Sequence, residues 1–181
     1  MDTLICNLFA GPGAGKSTVA AGVFAALKQE HVEAECIQEY AKDKSWQSDA
    51  FTLQCQPYIT AKQLYRQHRV LGKVQVAVTD APLLHGLIYP GHYTGRDFEK
   101  WLVSTFNQFN NLNILLERNV EQHGYSEVGR SQTLAEAEEI DKVTLAILHA
   151  HKIPFRRVLV DELAVSRIVH IINEVRATVL A

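Results

Sequence analysis

No apolar run in this chain reaches the roughly 18 to 20 residues that a bilayer-crossing helix needs, so a membrane partner is not expected. Nothing at the start resembles a leader: Met1-Asp2-Thr3 passes straight into apolar Leu4, with no basic n-region or cleavable apolar segment, and a cytoplasmic home is the expectation. Cysteine is scarce. Three residues, Cys6, Cys36 and Cys55, with no CxxC spacing exclude a disulfide or zinc framework. Cys6 and Cys36 lie in apolar, strand-like runs and read as reduced core thiols. A surplus of positive charge is missing too. With 18 Lys and Arg against 20 Asp and Glu, the net charge is -2 and the pI about 6.4. That balance disfavours tight, sequence-independent nucleic-acid binding while leaving room for a local basic groove. His85 and His92 have no partner at HxxxH spacing and read as packing or surface residues. Internal repeats and low-complexity linkers are absent, and 181 residues suit one domain, 1–181.

What is present is alternation. Leu4 to Phe9, Ala34 to Gln38, Val74 to Thr79, Leu112 to Leu116 and Phe155 to Val160 are short apolar runs of strand length. Between them lie helical patterns: Lys16 to Glu30, a long stretch ending near Leu71, Phe98 to Phe109, Leu134 to His151 and, last, Leu163 to Val179. Strands separated by helices require right-handed crossovers and a parallel sheet covered on both faces, an α/β fold. The run at Val74 has the near-continuous hydrophobicity of a strand buried on both sides. Thr133 and Glu136 form a capping box ahead of the Leu134 helix. The polar segment from Arg118 to Gln132, with Gly124 and Gly129, lacks periodicity and reads as a mobile lid.

Ala10-Gly11-Pro12-Gly13-Ala14-Gly15-Lys16-Ser17-Thr18 follows an apolar strand and opens a helix, the setting of a phosphate-binding Walker A loop. Its glycines let successive backbone N–H groups wrap a phosphate chain, and the helix dipole adds to the same site. Lys16 brings a mobile cation to the outer phosphates. The Ser17 hydroxyl is a hard oxygen for Mg²⁺. ATP and Mg²⁺ are therefore the expected ligands of the segment Gly11 to Thr18, with alanine in place of the first glycine. Asp80 ends the third strand at the sheet's carboxyl edge, where a carboxylate complements Ser17 at the metal; the alternative is a cap ahead of Pro82. Glu39, just past the second strand, faces the same edge. A carboxylate there takes or positions the proton of an acceptor hydroxyl, unless it is simply a solvated loop acid. Arg118 suits stacking on adenine and Arg130 suits closure onto the transferring phosphoryl group, or both are surface arginines. Of the aromatics Tyr40, Trp46, Phe51, Tyr58, Tyr65, Tyr89 and Tyr93, helical spacing assigns most to a core, and only Tyr40 and Tyr89 to the acceptor.

These residues resemble the nicotinamide riboside kinase domain family of P-loop proteins over nearly the whole chain. The shared landmarks are the loop Gly11 to Thr18, Glu39-Tyr40, a helix bearing Gln63, Thr79-Asp80, and the Gly129-Arg130-Ser131 segment. The chain is also similar to small phage-encoded nucleotide-kinase-like or AAA proteins. The resemblance implies a P-loop NTPase sheet of order 2-3-1-4-5 and ATP as phosphoryl donor. It also implies Lys16, Ser17, Asp80 and Arg130 in the roles given, and Glu39, Tyr40, Gln63 and Tyr89 around a nucleoside or nucleotide acceptor. After Asp80 the chain reads Ala81-Pro82-Leu83-Leu84-His85, without the arginine many nucleotide kinases place there. Arg66, Arg69 or Arg96 are the candidates to replace it. The open readings are a small-molecule kinase, a DNA kinase acting on a hydroxymethylated base, and a regulatory ATP-binding module. Oligomeric state is left open, a homodimer included.

Overall fold

The computed structural model describes residues 2–89, 91–119 and 133–180, with the side chains of 179 and 180 excepted. Five strands, β1 (Leu4–Phe9), β2 (Ala34–Ile37), β3 (Val76–Thr79), β4 (Asn110–Glu117) and β5 (Arg156–Leu159), form one parallel sheet in the order β2-β3-β1-β4-β5. The expected α/β fold and strand order are both present. In register, Leu4 pairs with Val76 on one side and Asn110 on the other, and Asn7 pairs with Thr79, so the residues that follow β1 and β3 emerge at the same edge of the sheet. Every residue of β1 and β3 is buried, as central parallel strands must be.

Eight helices lie among the described residues: α1 (Lys16–Gln29), α2 (Tyr40–Trp46), α3 (Ala50–Leu53), α4 (Gln56–His68), α5 (His85–Ile88), α6 (Arg96–Phe106), α7 (Leu134–Ala150) and α8 (Ala164–Leu180). Side chains alternate across the sheet. Leu4, Cys6 and Leu8 pack with Val23 and Leu27 of α1 and Ile168 and Ile172 of α8. Phe9 and Leu115 face the other layer, with Leu102 and Phe106 of α6 and Leu148 of α7. Each such Leu, Ile or Phe, fully buried, contributes about 1.5 to 3 kcal/mol relative to exposure. No described helix is long and apolar enough to cross a membrane. Asn7 is fully buried on the Phe9 face and donates to Asn113 Oδ1 (3.0 Å) and Asn111 Oδ1 (2.9 Å), a polar ladder across β1 and β4.

Three expectations need correction. The long helical stretch ending near Leu71 is three helices. Ser48 turns left-handed at φ 55° to end α2, Asp49 caps α3 by accepting from Thr52 N, and Pro57 in the first turn starts α4 afresh. Cys36 is only half-buried, because β2 is an edge strand, whereas Cys6 lies fully in the core. Trp46, Phe51, Tyr58, Tyr65 and Tyr93 stand exposed instead of filling a core: α2 and α3 bury no residue, Tyr58 and Tyr65 lie off the buried stripe of α4, and Tyr93 sits in a turn. The capping box is as expected: Thr133 Oγ1 accepts from Glu136 N while Glu136 Oε2 accepts from Thr133 N.

Candidate functional site at the carboxyl edge of the sheet

Between β1 and α1 the chain turns back over the sheet edge, and it does so with Gly13 at φ 76° and Gly15 at φ 82°, angles that side chains with a Cβ adopt only under strain. Gly11 meets a different limit. A Cβ there would lie 2.5 Å from Ala137 O and 2.8 Å from Asp141 Oδ1, so α7 leaves room for glycine alone. Gly15 precedes α1 without any side-chain cap, which leaves the first amides of that helix to the loop's concave side.

Lys16 folds its ammonium back onto the loop, donating to Ala10 O (2.8 Å) and Gly11 O (2.9 Å). Burial lowers its pKa, opposed by the fields of Glu39, Asp80 and Asp141 and reinforced by Arg118. Ser17 Oγ donates to Asp80 Oδ2 at 2.5 Å. The other oxygen, Asp80 Oδ1, is buried and has no hydrogen-bond partner among the described residues. Thr79 holds this turn in place: its hydroxyl donates to Ile37 O (3.1 Å) and accepts from Ala81 N (3.1 Å). A serine hydroxyl and a carboxylate with a spare, buried oxygen are the hard donors a magnesium ion takes, so Ser17 and Asp80 fit that ion. No cluster of three or more His, Cys, Asp or Glu at metal spacing occurs among the described residues, which leaves other oxygens to complete such a shell.

Glu39 precedes α2 in extended conformation, half-buried. Burial raises its pKa, Lys16 lowers it, and Asp80 raises it again, so Glu39 shares the electrostatic field of the loop lysine and the strand-end carboxylate. Tyr89 borders the same ground: burial, then Glu39 and Asp141, push its hydroxyl pKa far up. His85 packs edge-on to Phe9 and Tyr89, with ring centroids 5.9 and 6.1 Å away. Burial and then Lys16 hold that imidazole neutral, well below its ordinary pKa.

Gln63 sits differently from the other acceptor candidates. Its Oε1 accepts from Tyr40 N (2.9 Å) and its Nε2 donates to Gln38 O (3.3 Å), so its amide braces the backbone on either side of Glu39. Tyr40 contacts Tyr58 hydroxyl to hydroxyl at 3.3 Å. Arg66 donates to Gln38 O (3.1 Å) and pairs with Asp43, while Arg96 is exposed at the start of α6. Arg118 is fixed by its Nε on Asp141 Oδ2 (3.0 Å) and an Nη on Pro12 O (2.9 Å). Arg130 lies outside the described residues, as does most of the expected lid.

Asp141 was not visible as a site residue in the sequence. Its Oδ1 accepts from Gly11 N at 2.5 Å and its Oδ2 takes Arg118, so one carboxylate ties α7 to both the loop and the end of β4. The available signal was positional. Ala137, Asp141, Thr144 and Leu148 share one face of α7, and an acid within a buried stripe needs a donor.

A family model described as an AAA domain matches residues 6–163. No curated protein matches the sequence. Among solved structures, deoxyadenosine kinase from M. mycoides, with products dCMP and a flexible dCDP bound, superposes with a TM-score of 0.51 at 16% identity, covering 97% of this chain and 99% of that one. Shikimate kinase from Bacteroides thetaiotaomicron gives 0.52 at 11% identity, covering 96% and 97%. At such identities the likeness establishes the fold, a P-loop kinase fold.

Proposed function

The chain belongs to the AAA domain family, and on that footing we propose that it is an ATP-dependent phosphotransferase acting on a hydroxyl of a small nucleoside-type or nucleotide acceptor. One observation carries the reading: a half-buried carboxylate, Glu39, shares the field of Lys16 and Asp80 while Ser17 and Asp80 hold each other at the loop mouth. A carboxylate whose pKa is raised by burial, beside the loop lysine, suits a group that takes the proton of an acceptor hydroxyl.

Gly11 to Thr18 enclose the phosphates of ATP, and Lys16 leaves Ala10 O and Gly11 O to meet the outer ones. Ser17 and Asp80 hold Mg²⁺, which supplies neutralisation of charge on the phosphate oxygens. The acceptor hydroxyl oxygen bonds to the γ-phosphorus as the bond from that phosphorus to the β–γ bridging oxygen breaks, ADP departs, and the hydroxyl proton passes to Glu39. Gln63 keeps Glu39 in place through the backbone. Tyr40 and Tyr89 flank the acceptor. Arg118, locked edgewise by Asp141, offers its flat face to the adenine. The resemblance to nicotinamide riboside kinase domains supports a nucleoside-type acceptor.

The test is γ-labelled ATP with magnesium, incubated separately with a panel of nucleosides, nucleotides and shikimate-like alcohols. Label in one acceptor class is the expected result. Free phosphate alone, unchanged by any acceptor, would make the protein a nucleotide-controlled module and remove the kinase reading.

A further inference from the structure

The helices that follow Glu39 expose side chains that a soluble surface seldom gathers. Trp46 is 71% exposed, Phe51 88% and Tyr65 65%, and all three lie on α2, α3 and α4, which pack on one another. The charge is local too. From Glu39 to Lys73 the chain carries six Lys or Arg against three Asp or Glu, within a protein that has 18 against 20 overall.

On α4 the two features interleave. Gln56, Ile59, Thr60, Gln63 and Gln67 turn inward, and the opposite stripe reads Tyr58, Lys62, Tyr65, Arg69, each exposed and spaced four, three and four residues apart. Ring and cation alternate over about 16 Å, at 1.5 Å per residue. Lys62 Nζ lies 5.4 Å from the centre of the Tyr58 ring, and Arg66 Cζ lies 5.1 Å from that of Tyr40. The upper end of the stripe reaches Glu39 through Tyr58 and Tyr40, hydroxyl to hydroxyl at 3.3 Å.

We propose that this face of α2–α4 is a docking track for single-stranded nucleic acid, laid so that the strand runs toward Glu39. Bases stack on the exposed rings and phosphates meet the cations between them, the pairing single-strand grooves use. A duplex fits poorly, because its base faces are already stacked. An apolar protein partner fits poorly as well, because it would bury Lys62 and Arg69 without counter-charges. That the track delivers an acceptor rests on the function proposed above; that it binds a strand does not.

The experiment titrates fluorescein-labelled oligothymidylate of about ten nucleotides into the full chain without ATP. Anisotropy should rise, and tryptophan emission should be quenched in the wild type but not in Trp46→Phe. Affinity should fall with salt, each cation–phosphate contact adding a slope of about 0.7 on a log–log plot. Lys62→Gln should lower that slope by about 0.7, and Tyr65→Ala should weaken binding roughly tenfold. ATP-analogue affinity, measured on the same samples, should be unchanged in all three variants. A wild type that ignores the oligomer at low salt overturns the proposal, as does equal affinity for a duplex or indifference to Tyr65→Ala and Lys62→Gln together. So does sedimentation of a dimer that those two variants dissociate, for the face would then be a self-contact. Loss of ATP binding with strand binding intact would instead sink the phosphotransferase reading and leave the track standing.

Discussion

The wall of the crevice made by the phosphate loop, Asp80 and α7 is compact, and its polar groups are held by neighbours, whereas the wall made by α2–α4 is assembled from short helices with exposed rings and cations. On the first wall, Gly11 N–H, Lys16, Ser17 and Arg118 all have named partners at fixed distances. On the second, α2 and α3 bury no residue, and the ion pair between Lys44 and Asp49, at 3.5 Å, is of the partly exposed kind that contributes little. The difference teaches where specificity can vary. On the proposed function, a polyphosphate, the same in every donor, would be met by fixed backbone, while acceptors, which differ, would be met by side chains on elements with little core behind them.

Four substitutions sharpen or break that contrast, in descending order of effect. Lys16→Ala removes the loop's ammonium group, and label transfer from γ-labelled ATP is expected to fall at least a few hundredfold; near-normal transfer would leave the loop without its assigned chemistry. Glu39→Gln, at the seam between the walls, is expected to leave ATP affinity unchanged by calorimetry while cutting transfer roughly a hundredfold. Equal loss of both would remove Glu39 from the acceptor side.

The pH dependence of Glu39 follows from burial raising its pKa. As a base it must be ionised, so transfer should climb with pH along a limb displaced upward from the ordinary carboxylate range, and Glu39→Gln should flatten that limb. The stability effect has the opposite sense. A carboxyl whose folded-state pKa exceeds its unfolded value binds protons more tightly when folded, so its contribution is favourable at low pH and is lost as pH rises through the folded-state pKa. Thermal melts should therefore show Glu39→Gln more stable than the wild type at pH 7 and the two alike at pH 4.

Gly11→Ala tests the rigid wall by shape alone. With Ala137 O 2.5 Å from the new Cβ, the substitution should cost about 1 to 3 kcal/mol and lower Tm by several degrees. An unchanged Tm would show that α7 yields more easily than its packing suggests. Smallest is Asp141→Asn, which keeps an acceptor for Gly11 N–H but removes the charge opposite Arg118. A loss of about tenfold in ATP affinity, on the order of 1 to 2 kcal/mol for a hydrogen bond to a charged group, is expected with little change in acceptor KM. A change confined to the acceptor would place Asp141 on the wrong wall.

Much of the rigid wall was legible in residue order. Ala10 to Thr18 between an apolar run and a helix announces its own geometry, because glycines at fixed offsets are read through the backbone they permit. Asp80 was legible for the same reason, being the residue at which an apolar strand stops. Asp141 was not. Its partners, Gly11 and Arg118, lie 130 and 23 residues away along the chain, and only packing of α7 against the loop brings them together. Gln63 read as an acceptor contact; its bonds to the backbone at Gln38 and Tyr40 bridge 25 and 23 residues and were not legible in residue order.

By itself the sequence determined the alternation of strand and helix, hence a parallel sheet with a phosphate loop at its carboxyl edge, since both are local consequences of side-chain period and glycine. Tertiary structure alone decided that the aromatics after Glu39 face outward and that α7 clamps the loop. Those outcomes hang on which surfaces find a partner across long chain separations, and periodicity carries no information about that.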